Sequence, residues 1–228
     1  MLALAAAVAA LAAGCGSSDE GAGSTEAAET TASIPLETTE QTGQATCAEV
    51  DLPPFREEGQ ESPPTERLDP ETTYRLVFAT SCGTFVVTLD QGASPTTAAS
   101  LVSLARSGYY DGTVFHRIVP GFVIQGGDPT QSGSGGPGYA TRDEPAPDAA
   151  YVKGVVAMAK TPEEPPGTAG SQFFIVTGED VGLPPEYAIV GTVTDGLAVV
   201  EEIGRQGDPT TEQPTIPIVI DSVAVEET

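Results

Sequence analysis

Residues 115–128 constrain the fold most strongly, because they place strand-forming side chains on both sides of one tight turn. Branched and aromatic residues favour extended backbone, and Pro120-Gly121 between them favours a turn. We therefore predict two short strands, 113–119 and 122–125. If side chains alternate strictly, Phe115 and Arg117 share one face of the first strand and His116 lies on the other.

Arg117 is the unusual residue of this stretch, because it stands between apolar neighbours. Burying a guanidinium costs free energy unless it has a partner or a function. Taken alone, Arg117 is explained better as a snorkelling side chain or as a structural ion pair than as a functional residue.

The rest of the chain after residue 73 is dominated by short strand-like segments. We predict a hairpin over 74–80 and 84–89 and further strands at 154–160, 172–176, 186–193 and 215–225. Only two helices are predicted: one with Ser94 as N-cap and Pro95 at its first position, and a second over 195–204. This pattern predicts an all-β fold closed as an antiparallel barrel.

Four motifs resemble the cyclophilin family of peptidyl-prolyl cis–trans isomerases, over about residues 74–225. They are FHRIVPGFVIQGGD at 115–128, VAMA at 156–159, GSQFFI at 170–175 and YAIVGTV at 187–193. The resemblance implies a closed eight-stranded antiparallel β-barrel whose two openings are covered by the helices. It also implies activity on X-Pro bonds of polypeptides, a reaction that needs no cofactor and no metal.

The resemblance assigns roles to individual residues. Catalysis falls to Arg117, which would donate a hydrogen bond to the proline nitrogen of the twisted bond, and to Gln125, which would hold the substrate carbonyl or orient Arg117. The implied substrate-binding residues are Phe122, Met158, Ala159, Lys160, Gln172, Phe174, Leu183 and Tyr187. This mechanism requires an Arg117 that has no internal carboxylate partner and that faces Phe122 and Phe174.

Three positions depart from residues that are common in the family. Lys160 stands in place of Asn at a position expected to offer mainly backbone contacts, Gly182 in place of Trp, and Tyr187 in place of His. These departures leave open a second function, a non-catalytic cyclophilin-like module that binds Pro-containing segments. Glu163 and Glu164 lead us to expect a preference for substrates with basic residues near the proline.

Other chemistries are disfavoured. His116 is the single histidine and the chain has no CxxC pair, which argues against a zinc site and favours a hydrogen-bonded structural histidine. Residues 133–138 match GxGxxG, but Pro137 interrupts the motif and no βαβ unit surrounds it, so we expect a loop beside a peptide groove. A net charge of −24 argues against nucleic-acid binding.

The N-terminal residues predict export. Residues 1–13 are almost wholly Ala, Leu and Val, and a helix of that length, about 20 Å, cannot cross an apolar layer of about 30 Å. Small residues before Cys15 resemble a bacterial lipoprotein signal over residues 1–15, in which Cys15 is lipidated. No Lys or Arg precedes Cys15, so we expect the natural start to lie upstream. A buried Ala-rich helix is the alternative.

Composition divides the remainder into three parts. We predict a disordered acidic tether over 16–46, an irregular Pro- and Glu-rich lead-in over 47–72, and the isomerase domain over 73–228. With Cys15 lipidated, Cys47 and Cys82 remain, and an exported chain favours a disulfide between them over two free thiols. We expect an extracytoplasmic monomer, lipid-anchored to the bacterial cell membrane, that acts on exported proteins.

Overall fold

The computed structural model describes residues 45–228. The predicted signal sequence, the predicted lipidation site Cys15 and the predicted tether up to residue 44 lie outside the described residues. Among residues 45–228, no helix combines the length and the apolar character that crossing a membrane would require.

Eight strands close into an antiparallel barrel, which confirms the predicted fold class. The elements in chain order are β1 (Tyr74–Thr80), β2 (Gly83–Leu89), α1 (Pro95–Arg106), β3 (Thr113–Val119), β4 (Val123–Asp128), β5 (Thr141–Arg142), β6 (Val155–Met158), β7 (Thr168–Ala169), β8 (Phe173–Val176), β9 (Ile189–Asp195), α2 (Leu197–Arg205) and β10 (Val219–Glu227). The barrel order is β1-β10-β3-β4-β8-β6-β9-β2, and β5 pairs with β7 in a separate small sheet.

The barrel interior is a single apolar core. Phe78 and Phe85 stack at its centre with ring centroids 4.8 Å apart. Leu101 of α1 and Val200 and Ile203 of α2 belong to the same core, so both helices bury their apolar faces against it. The burial of these faces, rather than helix propensity, fixes where the two helices lie.

Helix α1 begins with Pro95 at its first position, as predicted, but Ser94 does not act as its side-chain cap. The Ser94 hydroxyl donates instead to the carbonyl of Ile189, at 2.7 Å. A carboxylate oxygen of Asp143 accepts from the backbone N–H of Thr97 at 2.6 Å and so takes over the capping role. Ser94 is therefore the N-cap residue, as predicted, but the side-chain hydrogen bond that caps the helix comes from Asp143 instead.

The lead-in is held to the domain by a disulfide and by several hydrogen bonds. Cys47 and Cys82 form a disulfide with an S–S distance of 2.06 Å, as predicted, so the alternative of two free thiols is wrong. Farther along, the backbone N–H of Gly59 donates to Gly136 O at 2.9 Å and that of Glu61 to Pro137 O at 2.8 Å. The lead-in thus runs beside the loop that follows β4.

Candidate active site

A β-bulge at His116 determines which way Arg117 faces. In the β3–β4 pair, Phe115 lies opposite Gly126 and Arg117 lies opposite Gln125, so His116 is an extra residue on β3. Phe115 is fully buried in the barrel core, whereas Arg117 is partly exposed on the outer face. The prediction that the two share a face is wrong, because the bulge reverses the alternation between them.

Four strands align their outward residues in one row. Arg117 of β3 lies opposite Gln125 of β4, which lies opposite Phe174 of β8, which in turn lies opposite Ala157 of β6. We call these four residues the outer row. The two predicted catalytic residues and a predicted substrate-binding residue therefore occupy neighbouring positions on one face.

A chain of hydrogen bonds fixes the polar side chains of this site. Arg117 Nη1 donates to Gln125 Oε1 at 3.4 Å, Gln125 Nε2 donates to Gln172 Oε1 at 3.0 Å, and Gln172 Nε2 donates to Gly135 O at 2.9 Å. Each amide thus has its orientation set by the next partner in the chain. Gln125 is placed where it can orient Arg117, one of the two roles expected for it.

The loop after β4 ends this chain of hydrogen bonds, and Asp128 organises that loop. The buried carboxylate accepts from the backbone N–H groups of Thr130, Gly133 and Gly135, at 2.7, 2.6 and 3.2 Å. Burial by itself would raise the pKa of Asp128, but the hydrogen bonds outweigh it and the pKa lies below its ordinary value of 3.8. The carbonyl of Gly135 is held in place as a result.

The GxGxxG segment lines a groove, as expected. A cavity of about 660 Å³ opens between residues 133–140 and residues 159–161, and Gln125 and Gln172 form the side that it shares with the hydrogen-bonded chain. Residues 58–60 of the lead-in also line this cavity. An extended peptide could therefore pass from the outer row into this groove.

Aromatic and aliphatic side chains form an apolar cluster beside the outer row. The rings of Phe174 and Tyr187 meet edge to face, with centroids 5.4 Å apart. The predicted residues Phe122, Ala159 and Leu183 are partly buried members of the same cluster. Five predicted substrate-binding residues are therefore brought together on one surface.

Tyr151 supports this cluster and was not predicted from the sequence. Its hydroxyl donates to Tyr187 O at 2.8 Å and accepts from Tyr187 N at 3.0 Å, so it fixes the backbone of Tyr187. Burial raises the pKa of Tyr151, which keeps the hydroxyl protonated and able to donate. An aromatic residue next to a loop gives no sign of this role in the sequence.

Met158 does not line the apolar cluster. It is fully buried in the barrel core, opposite Phe173, whereas its neighbour Ala157 lies opposite Phe174 in the outer row. The predicted role of Met158 in substrate binding is wrong, because side chains alternate along β6 and Met158 falls on the inner face. Val123 belongs to the apolar cluster instead and was missed.

The side chain of Lys160 contacts neighbouring residues of the site. Its Nζ lies 3.0 Å from a carboxylate oxygen of Glu186 and 5.6 Å from the ring centroid of Tyr187. Only 2% of the side chain is exposed, so Lys160 is anchored within the protein by its side chain, and the expected backbone contacts to a substrate stay a prediction. Lys160 packs against the apolar cluster, while Gly182, with a φ of +61°, contributes no side chain to it.

Arg117 has a carboxylate partner, contrary to the expectation that its guanidinium is unpaired. Its Nε lies 2.7 Å from Glu212 Oε2, and the two side chains are 37% and 45% exposed. An ion pair this exposed is typically worth less than about 1 kcal/mol. The bond occupies Nε, while Nη1 contacts Gln125, so Arg117 stays within the outer row and on the side of Phe174.

His116 is also different from its expected form. Both ring nitrogens are buried and make no hydrogen bond of regular geometry among residues 45–228, while the Val114 backbone only partly offsets the effect of burial on the pKa. The structure thus gives a buried structural histidine without the well-formed hydrogen bond that was predicted. Burial lowers the pKa of His116 below its ordinary value of 6.5 and favours the neutral ring. The residue acts as the bulge that turns Arg117 outward.

The comparisons with known proteins agree with this geometry. Residues 75–225 match the family model described as cyclophilin type peptidyl-prolyl cis-trans isomerase/CLD. A probable peptidyl-prolyl cis-trans isomerase A of Mycobacterium leprae is 42% identical over 164 residues, which is 64% of this chain and 88% of the relative.

Solved structures show the same similarity. A cyclophilin type peptidyl-prolyl cis-trans isomerase of Cryptosporidium parvum matches with a TM-score of 0.63 at 31% identity, covering 68% of this chain and 99% of that one. A crystal structure of that isomerase in the presence of the dipeptide Ala-Pro matches with a TM-score of 0.62 at 32% identity, with the same coverage. The chain therefore belongs to the family of cyclophilin-type peptidyl-prolyl cis–trans isomerases.

Proposed function

We propose that this peptidyl-prolyl isomerase acts on X-Pro bonds of exported proteins, assists their folding, and uses Arg117 as its catalytic residue. The observation that supports the mechanism is the outer row, which places Arg117 and Gln125 beside Phe174 and the apolar cluster. One face of the barrel therefore carries a guanidinium, an amide that orients it, and an apolar surface for a proline ring.

The chemistry requires no nucleophile. Amide resonance creates a rotation barrier of about 20 kcal/mol, and it is lost as the X-Pro bond twists. The proline nitrogen then becomes pyramidal and its lone pair accepts a hydrogen bond that the planar amide cannot accept. A guanidinium aimed at this nitrogen stabilises the transition state more than the ground state, which is the condition for catalysis.

Arginine suits this role because it stays charged and does not transfer a proton. In our proposal Gln125, itself held by Gln172, keeps the guanidinium oriented or donates a hydrogen bond to the substrate carbonyl. The proline ring packs against the apolar cluster, chiefly Phe122 and Phe174. The residues Ala159, Lys160, Leu183 and Tyr187 complete the walls of this site.

An isomerisation assay with a proline tetrapeptide tests the mechanism. Arg117→Ala should lower kcat/KM by about 10² to 10³, the range found when one transition-state donor is removed elsewhere. Arg205→Ala is the matched control, because within residues 45–228 Arg205 pairs only with Glu202, on the surface of α2. Equal activity of Arg117→Ala and Arg205→Ala would contradict the proposed role of Arg117.

The alternative is a module that binds Pro-containing segments without useful catalysis. The ion pair between Arg117 and Glu212 favours this alternative, as does the missing side chain at Gly182. The same assay decides between the two when it is combined with peptide binding. A wild-type protein that binds the peptide but does not accelerate isomerisation would support the alternative.

Acidic residues at the groove support the expected preference for basic flanking residues. Glu164 and Glu58 of the lead-in both line the groove, and the Glu164 carboxylate accepts from Thr161 N at 2.6 Å. In our proposal a Lys or Arg near the proline gains from this local negative charge. Glu164→Gln should reduce the kcat/KM ratio of Lys-flanked over Glu-flanked peptides, and an equal turnover of both by the wild type would exclude the preference.

The disulfide supports an extracytoplasmic location, because such bonds persist in oxidising compartments. We further propose that residues 1–15 are a lipoprotein signal, that Cys15 carries the lipid, and that residues 16–46 tether a monomeric domain to the bacterial cell membrane. Mass analysis of the mature protein should show a lipidated Cys15 as its first residue. An unmodified Cys15 would contradict the anchor without affecting the enzyme mechanism.

A further inference from the structure

We infer that Glu212 is a positioning residue that holds the guanidinium of Arg117 for catalysis. This inference rests on the proposed catalytic role of Arg117. Glu212 is 95 residues away from Arg117 in the chain and lies in the loop between α2 and β10. No local sequence pattern links Glu212 to Arg117, because the two residues come together only in the folded chain.

Glu212 and Gln125 bind different nitrogen atoms of the Arg117 guanidinium. Glu212 Oε2 accepts from Nε at 2.7 Å, and Gln125 Oε1 accepts from Nη1 at 3.4 Å. Within residues 45–228, Nη2 makes no hydrogen bond to the protein. Two contacts on different edges restrict rotation about the last torsions of the side chain and leave Nη2 available to a substrate.

The backbone of Glu212 is bound directly to the strand that carries Arg117. Its carbonyl accepts from the N–H of Ile118, the residue after Arg117, at 2.8 Å, and its own N–H donates to Asp208 O at 2.8 Å. The loop therefore moves with β3, and the distance between the carboxylate and Arg117 is fixed by the fold rather than by two long side chains alone.

The loop holds Glu212 in an unfavourable backbone conformation. Glu212 has a φ of +58°, a region that residues other than Gly, Asn and Asp seldom adopt. Asp208 stabilises the turn by accepting from the N–H groups of Thr211 and Thr210, at 2.9 and 2.8 Å, and these bonds lower the pKa of Asp208. Strain at a residue that contacts the proposed catalytic group is a reason to test for function.

The loop also packs tightly against β3. A Cβ at Gly207 would collide with the carbonyl oxygen of Ile118, so the close approach of loop and strand requires glycine there. An ion pair as exposed as this one contributes little to stability. A fixed carboxylate can still matter for the rate, because small displacements of a catalytic group are costly in the transition state.

The test is a double-mutant cycle that measures kcat and KM. Glu212→Gly removes the carboxylate at a position whose φ suits glycine, and Glu212→Gln keeps a hydrogen-bond acceptor of the same length. We expect Glu212→Gly to lower kcat on the order of tenfold, as measured couplings between contacting residues allow, while KM changes by less than about twofold because binding is unaffected. Glu212→Gln should recover most of the loss.

The second arm repeats the glycine substitution in the Arg117→Ala background. If Glu212 acts only through Arg117, the substitution should change kcat/KM by less than about twofold there. An equal loss in both backgrounds would show a general loop effect and overturn the inference, as would an unchanged or increased kcat for Glu212→Gly alone. If Arg117→Ala itself retains full activity, the proposed mechanism fails and the inference fails with it.

Discussion

The inner and outer faces of β3, β4, β8 and β6 differ in almost every physical respect although the same strands form both. The inner face is a closed apolar layer, whose fully buried members include Ile118, Ile124, Met158 and Ile175. The outer face carries a cation, two amides and an apolar cluster that is only partly covered. Along these strands, inward residues stabilise the barrel, whereas their outward neighbours in the sequence form the proposed active site.

Phe173 and Phe174 show this separation most directly. Phe173 contacts the rings of Phe78, Tyr110 and Phe115 inside the barrel. Phe174 contacts Tyr151 and Tyr187 on the outside. Two identical side chains one residue apart therefore offer a matched pair of substitutions.

The largest expected effect is on the inner member of this pair. Phe173→Ala should lower the free energy of unfolding by about 3–5 kcal/mol, because it removes a large buried ring and leaves a cavity. The kcat/KM of the remaining folded protein should change little. Urea unfolding followed by circular dichroism measures the first quantity, and an assay below the transition measures the second.

Phe174→Ala is the counterpart on the outer face. It should raise KM and lower kcat/KM on the order of tenfold, since part of the proposed surface for the proline ring is lost. Some stability should be lost as well, because the ring is 5% exposed. If Phe173→Ala lowers kcat/KM as much as Phe174→Ala while both are folded, the two faces do not have separate roles.

The disulfide joins the lead-in to the inner core through the buried Cys82. Its removal should therefore affect stability rather than the outer face. Replacing Cys47 and Cys82 by Ala should lower the free energy of unfolding by about 3–4 kcal/mol, as expected for releasing a closed loop of this length. Activity should remain.

Wild-type protein in reductant is the control and should lose the same stability as the double variant. An unchanged urea midpoint in both would mean that the bond adds nothing to the fold. A loss of activity at constant stability would instead connect the lead-in to the outer face.

The smallest expected effect concerns His116, which lies at the bulge between the two faces. Its folded pKa is lowered by burial, so just below pH 6.5 the unfolded chain binds more protons than the folded one. The free energy of unfolding should therefore fall as the pH drops below about 6.5 and stay constant above it. His116→Gln should flatten this decline in urea titrations at several pH values, and identical profiles would contradict it.

Much of the fold and part of the site could be predicted from the sequence. Alternation and turn residues located the strands, and the resemblance of 115–128 and 170–175 to one family supplied the barrel. Arg117, Gln125 and Phe174 were predicted together and lie together in the outer row. Local sequence patterns are sufficient to predict a site in which each strand contributes one residue to a shared face.

The remaining features depend on registers and distant contacts. The bulge at His116 reverses the face of Phe115, and one step of alternation removes Met158 from the site. Asp143 and Glu212 act on residues about 46 and 95 positions away, distances over which no periodicity carries information. A shift of one residue moves a side chain to the other face of the sheet but leaves the amino-acid composition of the strand unchanged.

We propose that Arg117 acts in the transition state of isomerisation rather than in binding. Exchange spectroscopy by NMR on an X-Pro peptide, with wild type and Arg117→Ala, measures the catalysed rate and the Kd in one sample. We expect a rate about 10² to 10³ lower in the variant, with a Kd changed by less than about threefold. A variant that loses binding and rate in equal proportion, or neither, would contradict it.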